Sequence, residues 1–170
     1  MTPLQDKAAR LLQLHQQGGL LLPNAWDAAS ARLFEDAGFP AIATTSAGVA
    51  FAYGYADGQN ISRDEMLSVV ARIAAAVQVP VTADVEAGYG TAPEAVAHTI
   101  AGVIAAGAVG VNLEDNTGRG NPLLPIEQQV SASLWPAQPH SRAACMSSST
   151  RALTTIFSLS AQRKPVWTIH

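Results

Sequence analysis

The densest run of chemically capable residues is Thr82-Ala83-Asp84-Val85-Glu86-Ala87-Gly88-Tyr89-Gly90. A strand that ends in one carboxylate and carries a second two residues later places both on one side, if the strand geometry persists, because side chains alternate with period two. Clustered carboxylates repel unless a cation sits between them, and an oxygen-rich site of this kind suits Mg²⁺. The Gly-x-Gly turn would bring the backbone close to a ligand. Taken alone, the pair fits a helix-capping loop equally well. Glu114-Asp115, ending the next predicted strand, shifts the balance towards a shared metal site. Asp57, in Gly54-Tyr55-Ala56-Asp57-Gly58, ends a long loop and is placed to reach the same spot, although Asp-Gly is also a common turn dipeptide. Ser46, Ala47 and Gly48 offer backbone N–H groups and a hydroxyl to an anionic ligand. Tyr53 and Tyr55 fit either the pocket mouth or plain loop packing.

The elements that must position these groups follow from local patterns. Leu4, Ala8, Leu11, Leu12 and His15 share a helical face that Gly18-Gly19 stops. Leu20-Leu21-Leu22 reads as a short buried strand closed by Pro23. Asp27 caps a helix that turns Ala31 and Phe34 inward and ends at Gly38. Residues 41–45 form the second strand, followed by a glycine-containing loop from Ser46 to Asn60. Ser62 and Glu65 make a capping box ahead of a stripe of Met66, Val70, Ile73 and Val77. The third strand runs from Pro80 to Asp84. Thr91 and Glu94 read as a second capping box with Pro93 in the first turn, before a helix with Val96, Ile100, Val103 and Ile104 facing the sheet. The fourth strand runs from Val109 to Glu114.

Alternating strands and helices with nearly continuous apolar strands imply a parallel sheet covered by helices, an α/β fold. A doubly wound sheet and a barrel share that grammar. The polar residues favour the barrel: Asn24 and Asp27, Thr45 and Ser46, Asp84 and Glu86, Glu114 and Asp115 all fall at or just beyond strand C-termini, where a barrel gathers its site. Four strands are used by residue 115, whereas a full (β/α)8 TIM-type barrel needs ~250 residues. The expectation is therefore a partial barrel of about four βα units over residues 1–130, with an aberrant tail over 131–170.

The tail differs in kind. All 13 glycines and all 13 acidic residues precede Ser131; from Ser131 on lie eight serines, Arg142, Arg151, Arg163 and Lys164, and no clear period. A Ser-rich disordered tail is one reading, and a shifted reading frame near Val130 is the one we favour; Leu153, Ile156, Phe157 and Leu159 leave room for a short helix or strand. Bulk properties restrict the function further. A net charge of −3 gives nucleic acid or an anionic membrane no electrostatic support. No apolar run approaches ~18 residues, and the N-terminus lacks a signal-peptide pattern. Cys145, alone, makes neither a disulfide nor a cysteine-rich metal site. The four histidines show no ligand spacing, with His15 and His98 expected on helix surfaces. A cytoplasmic enzyme is expected.

Asn24-Ala25-Trp26-Asp27-x-x-Ser30-Ala31, Thr44-Thr45-Ser46, Gly54-x-x-Asp57, Asp84-x-Glu86-x-Gly88-Tyr89-Gly90 and Asn112-Leu113-Glu114-Asp115 together resemble the isocitrate lyase and phosphoenolpyruvate mutase superfamily, over roughly residues 20–129. The resemblance implies that Asp84 holds Mg²⁺ directly and that Glu86 and Glu114 reach it through water. It also implies that Ser46 and its neighbours Thr45, Ala47 and Gly48 bind a substrate carboxylate, and that Asp57 lies beside the reacting carbon as the catalytic residue. The implied chemistry makes or breaks a C–C or C–P bond next to a 2-oxo acid, with Mg²⁺ stabilising the enolate. The lyase branch carries a Lys-x-Cys-Gly-His loop after the fourth strand; residues 116–122 here read Asn-Thr-Gly-Arg-Gly-Asn-Pro. The chain is thus closer to the phosphonomutase-like branch, with a small 2-oxo acid or phosphonate as substrate and Arg119 as a candidate contact to it. The family's fifth-strand arginine and exchanged late helix, a mark of its homo-oligomers, are not recognisable. Two alternatives stand beside this: a truncated, catalytically inactive fragment of such an enzyme, or another metal-dependent barrel aldolase.

Overall fold

Helix α1 (Pro3–Gln16) starts at Thr2, whose side chain accepts from the Gln5 N–H while the Gln5 side chain answers the Thr2 N–H. The computed structural model describes residues 2–115, 123–125, 142–147 and 152–158. After α1 come β1 (Asn24–Ala25), α2 (Ala28–Asp36), β2 (Ile42–Thr44), α3 (Ser46–Ala52), α4 (Arg63–Ala76), β3 (Val81–Asp84), α5 (Pro93–Ala105) and β4 (Gly110–Glu114). Strands β1 to β4 are parallel and lie side by side in chain order. A doubly wound sheet would reverse direction at a switch point. The four strands show no reversal, so the fold is the opening half of a TIM-type barrel.

Two apolar clusters hold this half barrel. Ile42, Val81, Ala83, Val111 and Leu113 pack outward against Met66, Val70 and Ile73 of α4 and Val96 and Val103 of α5. Ala8, Leu11 and Leu14 of α1 form the other cluster with Ala41 and Val109, at the N-terminal ends of β2 and β4. A side chain added at Gly110 would meet Leu11 Cδ2 at 3.0 Å and Thr82 Oγ1 at 2.8 Å, so α1 reaches into the inner face of the sheet from below. Lys7 Nζ donates to the Val77 carbonyl just past α4 at 2.9 Å, and Glu35 Oε1 accepts the N–H groups of Gln78 and Val79. Gly38 and Gly107, at φ +89° and +90°, end α2 and α5 in the left-handed turn that sends the chain into the next strand.

Several elements depart from the sequence expectations. The first strand is Asn24–Ala25 rather than residues 20–22. The Pro23 carbonyl accepts from Ala43, so pairing begins only at the proline, while Leu21 is 73% exposed and Leu20 and Leu22 lean on α1 instead. The expected loop from Ser46 contains a helix, α3, capped by Thr45, whose Oγ1 accepts from Gly48 at 3.2 Å. Thr91 forms no capping box; α5 starts from Ala92 without a side-chain cap, with Pro93 in its first turn.

Strands β5 (Arg142–Ser147) and β6 (Ala152–Ser158) pair with each other, and β6 adds to β4, both antiparallel. Without β6 the outer edge of β4 would leave backbone groups unpaired, and Leu153-Thr154-Thr155-Ile156-Phe157 is rich in residues that suit a strand. The fifth position of the sheet is thus taken by an antiparallel strand. The boundary expected near residue 130 lies outside the described residues.

Candidate active site

The site grows from the C-terminal ends of β2, β3 and β4. Asp84 closes β3 and is pinned at both oxygens. Its Oδ2 accepts from the Ser46 N–H at 3.0 Å and the Ser46 hydroxyl at 2.7 Å, and its Oδ1 accepts from the Glu86 N–H at 3.2 Å. The Asp84 N–H donates to Thr44 Oγ1 at 2.9 Å, which ties the two strand ends together. Ser46 is buried at the first position of α3, so the residue expected to meet a substrate carboxylate already serves the carboxylate expected to meet the metal. Thr45, Ala47 and Gly48 surround it on the same turn, with Gly48 N–H spent on the Thr45 cap.

Beyond Asp84 the strand does not continue. Glu86 takes φ +51° and Tyr89 φ +59°, so strand alternation cannot be what aligns Asp84 with Glu86. A tight turn does it instead, closed by Gly88 N–H to Val85 O at 2.9 Å and tied to β4 by Glu114 N–H to Glu86 O at 2.7 Å. The glycines of this turn are required by packing. Gly88, at φ +89°, has Val96 at 3.1 Å and Leu113 at 3.2 Å from where a Cβ would stand, and a Cβ at Gly90 would meet Ala95 at 2.5 Å.

Glu86 is only 3% exposed, and its Oε1 has no hydrogen-bond partner. Burial pushes its carboxyl up to about 7; the neighbouring charges of Asp84, Asp57 and Glu114 add to the rise, and the Gln59 backbone N–H opposes it. Glu114 is raised for the same reasons: burial first, then Asp84, Asp57 and Asp115. Asp57 itself lies on an exposed loop, but its field reaches both glutamates. Asp57, Asp84, Glu86 and Glu114 are thus close enough to feel one another's charge at the C-terminal ends of the strands. The Tyr89 hydroxyl and Asp115 Oδ1 are also buried there without partners.

The buried, partnerless Glu86 Oε1 and the mutual repulsion of these oxygens fit a hard cation such as Mg²⁺. Among the described residues no three His, Cys, Asp or Glu side chains gather tightly enough to ligate one ion directly. A cation here would have to complete its shell with water or substrate oxygens, which is how Mg²⁺ is commonly held.

A phosphoenolpyruvate phosphomutase family model matches residues 11–142. The chain belongs to that family. Within it, a candidate lyase/mutase structure from Burkholderia cenocepacia J2315 is 46% identical, with a TM-score of 0.70 over 77% of this chain and 48% of that one. A phosphonopyruvate hydrolase solved with oxalate and Mg²⁺ is 26% identical, with a TM-score of 0.68 over 81% of this chain and 50% of that one. The chloroplastic carboxyvinyl-carboxyphosphonate phosphorylmutase of Arabidopsis thaliana is 31% identical over 137 residues, 75% of this chain and 40% of the relative. The chain thus spans about two fifths of the length of the curated relatives it matches and about half that of the solved ones.

For this mutase-family chain, Arg119 lies outside the described residues. Tyr53 and Tyr55 are engaged in loop packing, Tyr53 with Arg72 at 2.7 Å and Tyr55 with Glu65 at 3.1 Å. His15 bonds back to the Leu11 carbonyl and His98 is exposed on α5. No helix among the described residues is long and apolar enough to cross a membrane. Nothing in the sequence pointed to the roles of Thr44, which accepts from Asp84 at the end of β3, and of Gln59, which accepts from Tyr89 in the acidic turn; neither carries a charge to draw notice.

Proposed function

We propose that the chain carries the Mg²⁺-binding, enolate-handling half of an enzyme that makes or breaks a C–C or C–P bond beside a small 2-oxo acid. The observation behind this reading is the gathering of Asp84, Glu86 and Glu114 at adjacent strand ends, with a buried Glu86 oxygen left without a partner. Asp84, Glu86 and Glu114 would hold the ion. When bound, Mg²⁺ supplies a Lewis acid that stabilises negative charge on the 2-oxygen of the substrate. Ser46, with Thr45, Ala47 and Gly48 around it, would receive the substrate carboxylate chiefly through the Ser46 hydroxyl, which then shares or gives up its bond to Asp84. Asp57 would stand beside the reacting carbon, and Arg119 is the proposed contact to the substrate's charge. The enzyme would work in the cytoplasm as a homo-oligomer. Turnover of oxaloacetate or phosphonopyruvate that disappears with a chelator and with Asp84→Ala tests the reading; no turnover of either, at any Mg²⁺ concentration, counts against it.

One observation favours a second reading, a catalytically inactive fragment. Strand β6 runs antiparallel on β4, where a closing barrel needs a parallel strand. A chain that binds Mn²⁺ but turns over nothing would fit that second reading.

A further inference from the structure

Three non-glycine residues take positive φ among the described residues: Gln59 at 59°, Glu86 at 51° and Tyr89 at 59°. Such conformations cost free energy and persist only where neighbours enforce them. These three come from two separate segments, and they are joined to each other. Gln59 Oε1 accepts the Tyr89 N–H at 2.8 Å, across thirty residues of chain. The Gln59 backbone N–H also lies near the Glu86 carboxylate and opposes the rise in its pKa. Gln59 thus holds the acidic turn through its side chain, with its main chain beside the Glu86 carboxylate.

The two segments are anchored very differently. The turn is fixed from below: Thr99 Oγ1 donates to the Gly88 carbonyl at 2.7 Å in a fully buried contact, and Glu114 N–H holds the Glu86 carbonyl. The loop of Asp57 and Gly58 is held mainly within itself, by Asn60 Nδ2 donating to the Asp57 carbonyl at 2.9 Å. Asp57 is exposed and two residues from Gln59. Without Gln59, nothing else described joins this loop by a hydrogen bond to the turn that carries Glu86.

We infer that Gln59 is a positioning residue that fastens the loop carrying Asp57 to the turn carrying Glu86, and so sets the spacing of the acidic groups. Its consequence for metal binding rests on the function proposed above; the fastening itself does not. The left-handed backbone at residue 59 makes a clean test available. Glycine adopts φ +59° without strain, so Gln59→Gly keeps the loop conformation and removes only the side-chain acceptor. Gln59→Glu keeps an acceptor at the same reach.

The experiment is amide hydrogen exchange by NMR on the metal-free full chain, paired with Mn²⁺ titration, for wild type and both variants. Gln59→Gly should melt no lower than wild type. Its Tyr89 amide should exchange about five- to tenfold faster, in line with the loss of one hydrogen bond, and its Mn²⁺ Kd should rise about tenfold. Gln59→Glu should restore protection at Tyr89. Unchanged Tyr89 protection in Gln59→Gly overturns the fastening. Faster exchange with an unchanged Mn²⁺ Kd overturns the positioning role. A wild-type chain that binds no Mn²⁺ sinks the metal reading, while the exchange data still decide whether Gln59 fastens the two segments.

Discussion

The two ends of the parallel strands are built on opposite principles. At the N-terminal ends, Leu11 is fully buried against Ala41 and Val109, alongside Ala8 and Leu14, and no carboxylate enters the cluster. At the C-terminal ends stand Asp84, Glu86 and Glu114, the strained Glu86 and Tyr89, and three of the four buried polar atoms that lack a partner among the described residues. Buried polar groups are normally satisfied, and exceptions call for an explanation. Here they gather with the strain at one end of the sheet, which is where a barrel carries its chemistry. The apolar end supplies the stability that lets the other end hold unfavourable charge and conformation.

Leu11→Ala attacks the stable end and should have the largest effect. Removing a fully buried leucine costs about 2–5 kcal/mol, read as a lower midpoint in urea. The fraction that remains folded should keep its Mn²⁺ affinity. A loss of affinity as large as the loss of stability would show that the two ends are not separable.

Glu86→Gln attacks the charged end and should act in the reverse direction. The folded protein keeps a proton on Glu86 up to about 7, whereas an unfolded chain releases it near the ordinary 4.5. Between those values the folded state binds more protons, so the stability of the metal-free protein falls as pH rises through that window. Glu86→Gln removes this part of the fall and should stabilise the metal-free protein at pH 8 by roughly 1–3 kcal/mol, while weakening Mn²⁺ binding. Saturating Mg²⁺ should stabilise wild type more than the variant. Thermal melts at pH 5 and pH 8, with and without Mg²⁺, check all of these signs.

Asp27→Ala should have the smallest effect. The Ser30 N–H, at 2.7 Å from Asp27 Oδ1, and the Ser30 hydroxyl hold the Asp27 carboxyl below its ordinary 3.8. Its contribution is therefore present above 3.8 and lost as pH falls through the lower folded value. Loss of this N-cap should cost about 1 kcal/mol at neutral pH and leave Mn²⁺ binding alone, which a chemical melt and a titration would show.

Charge and punctuation made much of this legible from sequence. Ser62 with Glu65, Asp27 and Gly38 announce helix ends through strong local preferences, and the structure places each where expected. Asp84, Glu86 and Glu114 stand out because carboxylates recur at the ends of neighbouring strands. What stayed hidden depends on contacts distant in the chain. Helix α3 is spelled Ser-Ala-Gly-Val-Ala-Phe-Ala, whose Gly48 argues for a loop; a side chain there would meet Thr45 Cγ2 at 2.6 Å and Trp26 Cβ at 3.2 Å, so close packing against the capping Thr45 and Trp26, not helix propensity, requires the glycine. The true first strand lies beyond Pro23 because pairing with β2, not apolar content, selects it. Gln59 is an uncharged loop residue whose role exists only once Tyr89 is folded against it.

The most direct test of the central claim is a Mn²⁺ titration of the metal-free wild-type chain beside Asp84→Ala, followed by electron paramagnetic resonance and competed with Mg²⁺. One Mg²⁺-displaceable site in wild type, absent from a folded Asp84→Ala, is the predicted result. Equal binding by the two proteins, or none by wild type, would contradict the assignment of Asp84, Glu86 and Glu114 as a metal site.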